Sequence, residues 1–77
     1  MNDPLVQLFA EVLEVDSAEL NDHTSPDDVK QWDSLAAMKL VVAIEEKFNV
    51  QLLTKDIVKM STIGRARKTL QSKNVKV

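Results

Sequence analysis

Ser34 is the residue around which the chemistry of this 77-residue sequence can be built. It follows Asp33 and opens a long run of helix-forming residues, so it lies where a loop ends and a helix begins. Ser34 could cap that helix, attach an anionic group, or act as a nucleophile. The amides and dipole of a helix N-terminus stabilise a phosphate by about 0.3–1 kcal/mol. This is enough to orient a phosphate ester at Ser34, whereas a separate enzyme would have to form the bond.

Catalysis by Ser34 itself is the weakest of the three interpretations, because a serine nucleophile needs a positioned base. His23 is the single histidine, and it lies beside Asp22 and Thr24 in a stretch of turn-forming residues. We expect it to be a solvated turn residue. The chain has no cysteine, which excludes a cysteine nucleophile and a disulfide framework, and one histidine argues against a histidine metal cluster. We therefore expect neither a catalytic residue nor a metal site.

The size and composition predict one small globular domain over residues 1–77. The sequence is 44% hydrophobic and 29% charged, as in ordinary soluble proteins. Residues 1–38 hold nine acids and one lysine, whereas residues 39–77 hold nine bases and three acids. We expect many of the acids in the first half to face bases of the second half within the fold.

Several classes of partner and location are disfavoured by the same composition. Three aromatic residues and a pI near 5.2 argue against nucleic-acid binding. No apolar run approaches the roughly 20 residues of a membrane span, and the N-terminal residues lack the plan of a signal peptide. We therefore expect a cytoplasmic protein with no membrane span. We also expect it to be a monomer.

The spacing of apolar residues predicts four helices, over residues 4–14, 34–48, 54–60 and 62–72. The expected N-terminal caps are Asp3, Asp33 or Ser34, Thr54, and Ser61 or Thr62. Residues 15–33 have no sustained period and form a long loop, and the last residues are expected to fray. The residues expected to hold this loop to the core are Val15, Leu20, Val29 and Trp32. The predicted fold class is all-α, a four-helix bundle with a long first loop and a short third helix.

The second predicted helix is more apolar than packing against a core requires. A helical wheel places a core stripe on one side, formed by Ala37, Leu40, Val41, Ile44 and Phe48. The opposite side carries Leu35, Ala36, Lys39, Val42, Ala43 and Glu46. Exposed Leu35 and Val42 would be consistent with a partner-binding face next to Ser34.

The run Asp33-Ser34-Leu35, followed by Leu40-Val41, Ile44-Glu45-Glu46 and Phe48, resembles acyl carrier proteins. In that family Asp-Ser-Leu opens the second of four helices, which ends in a Glu-Glu-x-Phe-like sequence. The resemblance covers about residues 4–72, nearly the whole chain.

The resemblance implies a 4′-phosphopantetheine arm on Ser34, added from coenzyme A by a phosphopantetheinyl transferase, with Asp33 and Leu35 as recognition flanks. The thiol of the arm would carry acyl groups as thioesters between acyl-loading, condensing or acyl-transfer enzymes, and the carrier itself would not be an enzyme. Leu35, Met38 and Val42 correspond to the apolar part of the family's partner-binding face, and Glu45 and Glu46 match its acidic end. The partner-binding residues expected in this chain are Leu35, Met38, Lys39, Val42 and Glu46.

The sequence departs from fatty-acid carriers where the family usually has acids, since it has Ala36 and Lys39 there, and Lys55 and Lys59 follow in the third-helix region. Fatty-acid synthase enzymes typically present basic patches, which would repel Lys39. We therefore expect a specialised fatty-acyl or polyketide-type pathway. An aminoacyl carrier, of peptidyl or D-alanyl type, is an open alternative. So is an unmodified helical domain that binds a partner through Leu35 and Val42.

Overall fold

The computed structural model describes residues 3–77, which form four α-helices and one short 3₁₀ helix. The α-helices are α1 (Pro4–Leu13), α2 (Ser34–Phe48), α3 (Thr54–Lys59) and α4 (Ile63–Ser72), and the 3₁₀ helix spans Ser17–Glu19. The described part of the chain contains no strand. The prediction of an all-α bundle with a long first loop and a short third helix is confirmed, and each helix boundary agrees to within one residue.

Helix α1 supplies the centre of the core. The Asp3 carboxylate accepts hydrogen bonds from the amides of Leu5 and Val6, which fixes the start of α1. The helix ends at Leu13, and the cap residue Glu14 closes the last turn with a left-handed backbone (φ 58°). The core residues of α1 and α2 pack together with those of the long loop and α4: Leu5, Leu8, Phe9, Leu13, Leu20, Trp32, Leu40, Ile44, Ile63, Ala66 and Leu70.

The long loop is held to this core by its apolar residues, as the sequence predicts. Trp32 is 6% exposed and its ring meets Phe9 edge-on, with the ring centroids 5.3 Å apart. Leu20 is buried, and Val15 and Val29 pack against the core half-buried. The loop is therefore a fixed part of the fold up to the residue before Asp33.

The middle of the loop is also tied to the start of α4, which the sequence pattern does not predict. The amide of Gly64 donates to the carbonyl of Asp22 over 2.9 Å, and the amide of Ile63 donates to the carbonyl of Thr24 over 3.2 Å. Thr24 is buried, and its hydroxyl accepts the Asn21 amide. A short loop segment thus bonds directly to the first turn of a helix distant in sequence.

The inward face of α2 is rotated from the one the wheel predicts. Ala36, Leu40 and Ile44 are buried, whereas Ala37 and Val41 are half-buried. Placing Ala36 on the outward face was wrong, because it is buried in the core, and Ala43, placed there too, is half-buried against the same core. The outward face of α2 therefore does not include Ala36.

Helix α3 and the C-terminal tail are fastened to each other. The Asp56 carboxylate accepts hydrogen bonds from the Leu53 amide and from Nζ of Lys73, each over 2.9 Å. The cap position is therefore Leu53 and not Thr54, which the sequence had favoured. The expectation that the tail frays is wrong. The Val75 amide donates to the Leu70 carbonyl, and the Val75 side chain packs against the core.

Arg67 joins the acidic and basic halves of the chain. Its guanidinium contacts the Asp3 carboxylate at 2.6 Å and the Asp22 carboxylate at 3.0 Å. The predicted matching of charge within the fold is realised at this contact. No helix in residues 3–77 combines the length and the apolar character needed to cross a membrane.

Candidate functional site

Asp33 caps helix α2 and so determines what Ser34 can do. The Asp33 carboxylate accepts the Ala36 amide over 2.9 Å, and the Asp33 carbonyl accepts the Ala37 amide over 2.9 Å. Of the two caps that the sequence allows, Asp33 is the correct one. The interpretation of Ser34 as a simple N-cap is therefore wrong.

Ser34 is exposed in the first position of α2. Its hydroxyl makes no hydrogen bond to any residue in the range 3–77, and the amides of Ser34 and Leu35 are likewise without a partner in that range. The site thus offers a free hydroxyl beside two free amides at the positive end of a helix of 15 residues. This arrangement suits a phosphate ester on Ser34.

His23 does not form a catalytic pair with Ser34. It is exposed, and its amide donates to the side-chain oxygen of Asn21 over 2.8 Å, as expected of a turn residue. No hydrogen bond links it to Ser34 among the residues described. Those residues also contain no group of three or more histidine, cysteine, aspartate or glutamate side chains arranged to hold a metal ion.

An apolar surface extends along α2 from Ser34. Leu35, Met38 and Val42 are 63%, 69% and 54% exposed. Lys39 and Glu46 are also exposed, so all five residues of the predicted partner-binding face point outward. The neighbouring Glu45 is turned away from this surface, because its carboxylate accepts the Leu52 amide over 2.9 Å.

The sequence pattern missed the part of this surface that belongs to α3. A groove of about 220 Å³ runs between α2 and α3 and is lined by Ala37, Met38, Val41, Val42 and Ile57. Val58, 76% exposed, follows Ile57 at its α3 side. No sequence signal pointed to it, because Ile57 is exposed on a helix whose buried residue is Asp56, and apolar spacing does not predict a buried aspartate.

Comparison with known proteins indicates the family to which the chain belongs. A family model described as "Phosphopantetheine attachment site" matches residues 3–68. The chain is 35% identical over 74 residues to an acyl carrier protein of a Sulfurovum species, covering 84% of this chain and 96% of the relative. It is 31% identical over 64 residues to the acyl carrier protein of Chlamydia caviae, covering 83% of each chain. An acyl carrier protein of Wolinella succinogenes is 33% identical over 66 residues, covering 74% of this chain and 84% of the relative.

The chain belongs to the acyl carrier protein family. Members of this family are carriers and not enzymes, and within residues 3–77 no histidine is hydrogen-bonded to Ser34. The cofactor of this carrier protein is covalently attached 4′-phosphopantetheine. Phosphopantetheinyl transferases and acyl-handling enzymes are the partners that membership of the family implies.

Proposed function

We propose that Ser34 Oγ is the attachment atom for 4′-phosphopantetheine and that the carrier presents acyl groups in turn to its partner enzymes. The observation that carries this proposal is the free Ser34 hydroxyl at the start of α2, next to an aspartate that has taken over the capping role. The arm supplies a thiol, which holds acyl groups as thioesters. The chain itself contains no cysteine, so this sulfur must come from the cofactor.

Each residue of the Asp33-Ser34-Leu35 sequence has a separate part in this proposal. Asp33 satisfies the amide of Ala36 and thereby leaves the Ser34 hydroxyl available to a modifying enzyme. The amides of Ser34 and Leu35, which have no partner among residues 3–77, would favour the negative charge of a phosphate on Oγ. Leu35 provides apolar contact for the modifying enzyme beside the reacting hydroxyl.

The proposal predicts modification at one serine. We expect incubation with coenzyme A and a promiscuous phosphopantetheinyl transferase to add one phosphopantetheinyl group, and Ser34→Ala to abolish the addition, as measured by intact-mass spectrometry. Ser17→Ala is the matched control, because Ser17 also follows an aspartate that caps a helical turn and is also exposed. An unmodified native chain, or modification that survives Ser34→Ala, would overturn the assignment.

The outward surface of α2 is proposed as the docking face for these enzymes, with Leu35, Met38 and Val42 as its apolar part and Lys39 and Glu46 as its charged part. The exposure of these side chains supports the proposal. Leu35→Asp should block docking of the holo protein while leaving its unfolding temperature unchanged. If Leu35→Asp abolishes partner binding and Ser34→Ala has no effect on function, the chain is instead an unmodified interaction domain.

We further propose service in a specialised fatty-acyl or polyketide-type pathway, with the carrier acting as a cytoplasmic monomer and a single domain over residues 1–77. The support is the exposed Lys39, where a basic enzyme surface would meet a like charge. An aminoacyl carrier has the same site, because the loading enzyme selects the cargo. Screening acyl- and aminoacyl-loading enzymes against the holo protein distinguishes the two.

Lys39 also gives a direct test of the pathway. Lys39→Glu should strengthen docking to a fatty-acid synthase condensing enzyme at low salt, by about twofold to fivefold for one exposed charge contact. Lys68→Glu, an exposed lysine on α4, is the control for the change in net charge. Unchanged or weaker binding of Lys39→Glu, measured by titration calorimetry, would argue against the specialised pathway.

A further inference from the structure

An apolar strip crosses from α2 to α3 and has lysines on both edges. The strip consists of Met38, Val42, Ile57 and Val58. The first three line one groove, and Val58 is the exposed residue that follows Ile57 on α3. Lys39 lies at the α2 edge, next to Met38 and Val42. Lys55 and Lys59 lie one helical turn apart at the α3 edge, beyond Val58.

The lysines of this border are not neutralised within the fold. The ion pairs formed by residues 3–77 involve only Arg67 and Lys73 as cations, and neither belongs to the border. The acid that belongs to α3, Asp56, is buried and already bound to Lys73. On the α2 side, Lys39 has acids nearby, because Glu46 lines one surface with it and Glu14 and Asp33 line another. The α3 edge therefore presents two lysines and no exposed carboxylate.

We propose that this strip, with its lysine border, is a docking surface for a protein whose contact region has an apolar centre and an acidic rim. Four exposed apolar side chains supply the burial, and Lys39, Lys55 and Lys59 supply charge complementarity. Because the strip shares Met38, Val42 and Lys39 with the proposed docking face, this inference rests on that proposed function and specifies the charge of its partner, but it does not depend on modification of Ser34. An anionic membrane is a poorer fit, because Glu46 and the strongly acidic first half of the chain would be repelled by it.

A pair of synthetic peptides tests whether this surface prefers an acidic or a basic partner. One is an amphipathic helical peptide with a leucine stripe bordered by glutamates, and the other has lysines in place of those glutamates. At low salt the native chain should bind the glutamate peptide at least about fivefold more tightly than the lysine peptide. Amide chemical-shift changes should centre on the strip. Equal binding, or preference for the lysine peptide, overturns the proposal.

Two double variants locate the effect. Lys55→Glu with Lys59→Glu should remove or reverse the preference, whereas Lys68→Glu with Lys76→Glu changes the net charge equally at exposed positions outside the strip and should leave it intact. Equal losses in both variants would overturn the proposal, as would binding to anionic phosphatidylglycerol vesicles with no peptide preference. Ser34→Ala should bind both peptides as the native chain does, so a failure here is separate from a failure of the attachment site.

Discussion

Gly64 sits where a helix and a loop come closer than any larger residue allows. Its amide donates to the Asp22 carbonyl, and a Cβ added at Gly64 would lie 2.8 Å from that oxygen and 3.1 Å from the Asp22 Cβ. Both atoms belong to Asp22, and Arg67 also restrains this residue by contacting its carboxylate. Glycine is therefore required here by close approach, although its φ is not in the left-handed region.

Gly64→Ala should destabilise the fold. Overpacking costs about 1–3 kcal/mol, and the better helix propensity of alanine returns about 1 kcal/mol, so we expect a net loss of about 1 kcal/mol. In a domain of this size the unfolding temperature should then fall by about 4–8 °C. Lys68→Ala, on the exposed side of the same helix, should shift the unfolding temperature little in the same thermal melt. A Gly64→Ala protein as stable as the native one would contradict the close approach.

At the scale of the elements, apolar spacing predicts the helices well because the pattern is local. The cap of α2 could not be assigned between Asp33 and Ser34, since both residue types accept amides and only their backbone geometry separates them. Ala36 was misplaced because a wheel gives the width of an apolar stripe but not the direction from which α1 approaches it. The Asp22–Gly64 contact joins distant segments, and no local pattern encodes it.

The cap of α3 also predicts a local effect on stability. The Leu53 amide, followed by the Lys73 ammonium, holds the pKa of the Asp56 carboxyl below its ordinary value of 3.8. Asp56→Ala removes both contacts, so amide hydrogen exchange in α3 should accelerate more than in α1. Lys73→Met should act in the same direction with a smaller effect, and Lys76→Ala serves as the control. A uniform acceleration across all four helices would argue against a local role for Asp56.

At the scale of the whole molecule, Arg67 connects the start of α1, the long loop and α4. Its hydrogen bonds to Asp3 hold the pKa of the Asp3 carboxyl below its ordinary value of 3.8. Because this pKa is lower in the folded state, the contribution to stability is complete above the pKa of the unfolded chain. It is lost as the pH falls through the pKa of the folded state.

Asp3→Asn should therefore destabilise the protein at pH 7 by about 0.5–1 kcal/mol, a figure that allows for the partial exposure of the pair. The difference in unfolding free energy between Asp3→Asn and the native chain should narrow as the pH falls below 3.8. Urea unfolding between pH 7 and pH 3 measures it. Asp27→Asn removes an exposed carboxylate that makes no hydrogen bond among the residues described, and it should not show this convergence. A gap between Asp3→Asn and native protein that stays constant with pH would exclude the linkage.

The burial of Trp32 has a practical consequence. The chain has one tryptophan and no tyrosine, so its near-ultraviolet emission comes from a single indole, two positions before Ser34 in the sequence. That indole rests against Phe9, in a loop that ends where the helix of Ser34 begins. Intrinsic fluorescence therefore reports on the packing of this loop alone, with no dye attached.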